Sequence, residues 1–192
     1  MKHDSIARLV NELYEAKNSN RAEWADWLYT NHVLVCAKWA KQLAEKYKGD
    51  IDVAVSLALL HDVADAVMPR LNPEHEAKSL EIARDFLIQA GYDAKQTESM
   101  VNDSLKNHSC HDGIVPTTLE GKILSTADSY AHLTTDFYLF AAYGFAATRS
   151  YDDYKAWLRK KVEHDIHEKV LFEEEKEYLI PYYNKIMGMA SQ

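Results

Sequence analysis

The stretch Leu57-Ala58-Leu59-Leu60-His61-Asp62-Val63-Ala64-Asp65 restricts the possible folds more than any other part of the chain. Its apolar run reads as a buried helix, with a histidine and an aspartate side by side within it. A buried imidazole is tolerable, but a carboxylate in the same turn is costly unless something pairs with it. A divalent cation would serve both, taking an imidazole nitrogen and a carboxylate oxygen together. The plainer alternative has His61 donating to a backbone carbonyl while Asp62 turns to solvent or meets an arginine. This stretch alone leaves both open.

The rest of the chain reads as helices. The periodicity predicts a first helix over 4–17, with Ile6, Leu9, Val10, Leu13 and Tyr14 on one face. Asn18-Ser19-Asn20 breaks it, and a long helix from about Arg21 to Lys48 follows. Trp24, Trp27, Leu28, Val35, Cys36 and Trp39 form its stripe; His32, four residues from both Leu28 and Cys36, faces the core with them. A lone histidine there is more often a satisfied core residue than a ligand. Asp50 caps a helix over 51–67, on which His61 shares a face with Ala54, Leu57, Ala58 and Asp65. A polar loop bracketed by Pro69 and Pro73 leads to helices over 76–90 and 94–108, the second ending near His108 and His111. Thr117 or Thr118 caps a helix reaching Tyr143, with Gly121, Leu124, Ser125, Asp128, Ala131 and His132 on one face. Residues 151–187 suggest one or two more helices, with Pro181 at a break or a helix start. No period-two alternation runs far enough for a strand, so the fold expected is all-α, a helical bundle in one domain over 1–192.

Bulk properties narrow the function. A net charge of −8 disfavours a general nucleic-acid surface, which needs a basic stripe. The apolar runs fall short of the ~18 residues of a membrane span, and the N-terminus shows no signal-peptide core. Two cysteines, Cys36 and Cys110, give no disulfide framework, so a cytoplasmic setting is the expectation.

Three core-facing sets of candidate ligands therefore sit on three helices: His32, His61-Asp62 and Asp128. In this order, and with the contexts Leu59-Leu60-His61-Asp62-Val63 and Gly121-Lys122-Ile123-Leu124-Ser125-Thr126-Ala127-Asp128, the chain resembles the HD-domain superfamily of metal-dependent phosphohydrolases. The likeness covers about residues 24–140, with the helices of 150–190 packed on that core. A bare HD dipeptide would carry no weight; the ordered set on helices does.

The resemblance implies His32, His61, Asp62 and Asp128 as ligands of a divalent ion: Mn, Mg, Fe, Co, Ni or Zn. It implies hydrolysis of a small phosphorylated molecule, a nucleotide first among them, by attack of a metal-bound water. Asp65, one turn after His61, is a candidate to orient or deprotonate that water beside Asp62, or else a helix-end carboxylate meeting a cation. Arg70, His75, Lys78, His108 and Lys122 are candidate substrate contacts. Tyr130 and His132 are placed to wall the pocket or simply to pack. Arg159, Lys160 and Lys161 read as a solvated face, and His3, His164 and His167 as surface residues.

Two other readings stand beside this one. Some HD families hold a second metal with two extra histidines, so His75 and His108 admit a di-iron oxygenase, although His75 follows Asp62 more closely than those families lead one to expect. A non-catalytic nucleotide- or metal-binding protein is the other. Gly113 is not followed by a GYP segment, which disfavours the cyclic-di-GMP phosphodiesterase branch. The aromatic residues clustered at 137–157 offer either a homodimer face or more core.

Overall fold

In a computed structural model the described residues, 1–190, form ten α-helices and no strand. They are α1 (Lys2–Glu15), α2 (Ala25–Leu28), α3 (Leu34–Tyr47), α4 (Ile51–Leu60), α5 (His75–Gln89), α6 (Ala94–Ser99), α7 (Leu119–Thr134), α8 (Phe137–Ala146), α9 (Tyr151–His164) and α10 (Glu173–Ala190). Helices α3, α4 and α7 pack against one another at the centre, with α1 and α5 beside α4 and α10 against α7. Leu57, Leu60, Leu28, Ile123 and Leu124 are fully buried there. Both cysteines are free and buried. Among the described residues no helix is long and apolar enough to cross a membrane.

The element boundaries depart from the periodicity at informative places. Instead of beginning at Arg21, the second helix begins at Ala25. Trp24 holds a left-handed backbone (φ 60°), and the Ala22 N–H is drawn to the Asp65 carbonyl at 2.8 Å. Between α2 and α3, Tyr29–Val33 form a π-helical turn around His32, and Leu28, His32 and Cys36 all remain fully buried. Asp50 caps α4, its Oδ1 accepting from the Val53 N–H at 3.1 Å. This helix stops at Leu60, short of 67, and Val63–Ala66 continue as a 3₁₀ turn. There His61 Nδ1 takes the Ala58 carbonyl at 2.7 Å, the acceptor that Asp62 would need to extend the helix.

Thr118 is the residue that caps α7. The helix ends at Thr134, nine residues before Tyr143, because the Thr134 and Thr135 hydroxyls bond back to the Tyr130 and Ala131 carbonyls, both at 2.6 Å. Pro181 lies inside α10 and neither breaks nor starts it. Proline removes one helical hydrogen bond, and the carbonyl so released belongs to Glu177, an exposed residue, where the loss costs little. On α8 the apolar residues Leu139 and Tyr143 stay 71% and 56% exposed, beside a groove formed with Trp24, Trp27 and Phe140.

Candidate metal centre and anion pocket

His61 stands at the end of α4, and its bond to Ala58 assigns the ring proton to Nδ1. Its Nε2 is therefore a bare lone pair, 3.0 Å from His32 Nε2. Asp62, in the turn that follows, brings Oδ2 to 3.3 Å from His32 Nε2 and 3.5 Å from His61 Nε2. From α7, Asp128 brings Oδ1 to 3.4 and 3.7 Å from the same two nitrogens. His32, His61 and Asp128 thus point at one spot, and Asp62 stands beside the two imidazoles.

The residues fit a divalent ion on two counts. Atoms bound to one ion at about 2.1 Å stand about 3.0–3.4 Å apart in right-angled to tetrahedral arrangements, the spacing range this set approaches. Asp128 Oδ1 is also buried without a hydrogen-bond partner, which is costly for a carboxylate oxygen unless a cation takes it. His32, His61 and Asp128 form a buried group whose candidate ligand atoms all lie within 4.8 Å of one another.

The spot opens on a cavity of about 220 Å³ lined by Arg70, His108, His132, Phe137, Lys161 and Lys169, among others. Arg70 forks between Asp62 Oδ2 and Asp65 Oδ2, and His75 Nε2 binds the other Asp65 oxygen at 2.9 Å. Asp65 is thus fully buried behind Arg70, and neither it nor His75 lines the cavity. His108 lines it, with Nδ1 held by the Leu105 carbonyl. Lys78 pairs with Glu81 at the surface at 2.8 Å. Lys122, on the first turn of α7, is likewise absent from the wall.

Lys161, His164 and His3 depart from their sequence reading, while others take one of the roles expected of them. Lys161, expected on a solvated face, ion-pairs with Asp165 and lines the cavity, whereas Arg159 and Lys160 are exposed as expected. His164, expected at the surface, donates Nε2–H to the Ser109 carbonyl at 2.7 Å, and His3 is largely covered while bonding Asp52. His132 walls the cavity, whereas Tyr130 packs on Trp39 and donates to Glu175. Lys169, which donates to Asp128 Oδ2, and Asp165 went unnoticed in the sequence. The available signal was spacing: Lys161, Asp165 and Lys169 lie four apart on one helical face.

Burial opposes ionisation of Asp62, yet Arg70, His61 and His32 outweigh it and hold the carboxyl well below the usual range. Asp128 is likewise low against its burial, through His132, Lys169 and both ligand imidazoles. Burial pushes the His32 imidazole down, that of His108 to about 4 and that of His132 to about 3. An unfolded histidine titrates near ~6.5. Below that value the unfolded chain takes up protons that the folded chain refuses, so stability falls with falling pH. The depressed carboxylates add their loss below about 4, where unfolded aspartates protonate. The metal-free protein is therefore expected to hold a level urea midpoint from about pH 8 to 7 and lose it steadily below about pH 6.5. An unchanged midpoint down to about pH 5 would contradict this assignment.

The HD-domain family model matches residues 29–133, a span that holds His32, His61, Asp62 and Asp128. No curated protein and no solved structure matches the chain significantly. The match covers more than half of the sequence, and on it the chain belongs to the HD-domain family.

Proposed function

We propose that the protein is a metal-dependent phosphohydrolase that removes a phosphate group from a small molecule, nucleotides being the first class to test. One observation carries this reading: His32, His61 and Asp128 gather in one buried group with Asp62 beside the imidazoles and Asp128 Oδ1 unpaired, next to a cavity lined with cations. A divalent ion held by these four residues supplies Lewis acidity toward a phosphoryl oxygen and toward water.

The chain's own groups do the remainder. Arg70 lines the cavity with its fork held by Asp62 and Asp65, and its remaining N–H groups are suited to a phosphate oxygen. The Ala58 carbonyl aims the His61 lone pair, and Lys169 holds one oxygen of Asp128 so that the other faces the imidazoles. His108, with Nδ1 occupied, stands on the cavity wall with Nε2 at 3.4 Å from Ser109 Oγ, within reach of a ligand there. Four carboxylates (Asp62, Asp65, Asp128, Asp165) against three cations (Arg70, Lys161, Lys169) leave this cluster one negative charge. A divalent ion reverses that sign and favours an anionic ligand. The di-iron alternative has less support, because His75 directs Nε2 to Asp65 and lies off the cavity wall.

The test is phosphate release from a panel of nucleotides and sugar phosphates with Mn²⁺, Fe²⁺ or Mg²⁺. Metal-dependent release is expected. A folded, metal-loaded sample that releases none would overturn the proposal.

A further inference from the structure

Helix α9 and the π-helical turn Asp165–Lys169 lie beyond the residues matched by the family, yet they supply Trp157, Lys161, His164 and Lys169 to the cavity wall. Their docking is specific. Ser129 Oγ donates to the Asp165 carbonyl and Ser125 Oγ to the Lys169 carbonyl, both at 3.0 Å, while Thr126 Oγ1 accepts from the Leu171 N–H at 3.1 Å. The small hydroxyl residues of α7, the helix of Asp128, are thus a seat for this backbone. The His164 bond to Ser109, with His164 stacked on His111, ties α9 to the far wall.

On that seat, fully buried Asp165 accepts from Lys161, from His132 Nδ1 at 3.1 Å and from Tyr138 Oη at 2.5 Å. Buried ion pairs gain little net stability over apolar packing, so stability alone is a poor reason to gather lysines here. The two lysines also differ. Lys169 is closed behind Asp128, with its side chain 3% exposed. Lys161 keeps its side chain 24% exposed on the cavity, matching Arg70 at 25%.

We propose that Lys161 is a substrate-recognition residue that contacts the phosphate group of the substrate together with Arg70, and that Lys169 is a positioning residue for Asp128. The C-terminal segment would then complete a pocket that the matched core leaves open on one side. The ligand class, a phosphate-bearing small molecule, rests on the phosphohydrolase reading; the anion-binding role of Lys161 is measured without turnover.

Inorganic phosphate is the probe, titrated calorimetrically into the full-length Mn²⁺-loaded protein. Lys161→Met, which keeps the apolar stem packed, and Lys161→Gln should each weaken phosphate binding about tenfold or more. Mn²⁺ affinity should stay unchanged in both, and Lys161→Arg should recover most of the phosphate affinity. Unchanged phosphate affinity in the Met and Gln variants, or a loss that follows Mn²⁺ affinity, overturns the proposal. Lys161-dependent phosphate binding without hydrolysis of any phosphorylated compound would sink the enzyme reading and leave this one standing. Hydrolysis with phosphate affinity indifferent to Lys161 would do the reverse.

Discussion

Asp128→Asn is expected to abolish stoichiometric metal binding and to lower phosphate release by about a thousandfold or more, some 4 kcal/mol of lost transition-state stabilisation. Asp128 has a different task at each oxygen. Oδ1 faces the imidazoles with no hydrogen-bond partner, and Oδ2 accepts from buried Lys169. An amide keeps the shape but removes the charge, so both tasks fail together. Lys169 keeps only Asp165 Oδ1 at 3.9 Å as an anionic neighbour. Metal content of the purified variant and phosphate release in Mn²⁺ read the two losses, while far-UV circular dichroism checks that the helices persist. A variant that retains one metal per chain and turns over would remove Asp128 from the site.

Asp165→Ala should have the largest effect on stability, a loss of roughly 3–5 kcal/mol. One fully buried carboxylate serves Lys161, His132 and Tyr138, and its removal strands three polar groups at once. For a chain of this size that loss corresponds to a fall in Tm of about 10 °C or more. Thermal unfolding followed at 222 nm, a far-UV helix band, measures it. A shift of only about 2 °C would mean that the cluster does not hold α8 and α9 to α7 as described.

Residue pattern and spatial arrangement meet at the core-facing positions. His32 lies in an apolar stripe, His61 in an apolar helix and Asp128 on a small-residue face, and the structure brings all three together with Asp62. Periodicity suffices there because the apolar neighbours decide which way each residue points. It fails at the helix ends, where single side chains compete for backbone carbonyls: His61 for Ala58, Thr134 for Tyr130 and Thr135 for Ala131. It fails again on α9 and the turn Asp165–Lys169 that follows it. Lysine, aspartate and histidine lie on the surface by default, and only partners from α7, such as Ser125, Ser129 and His132, make their burial tolerable. No local stretch of sequence records a partner 33 to 44 residues away. The small residues on α7 were visible in the sequence, but their use as a seat for Asp165–Lys169 was not.

The central claim is that side chains from three segments share one cation. Anomalous scattering from crystals grown with Mn²⁺ addresses it directly. The account predicts a manganese peak within about 2.3 Å of His32 Nε2, His61 Nε2, Asp62 Oδ2 and Asp128 Oδ1. Ordered manganese elsewhere, with His32 Nε2 still bonded to His61 Nε2, Asp62 Oδ2 still held by Arg70 and Asp128 Oδ1 still unpaired, would contradict it.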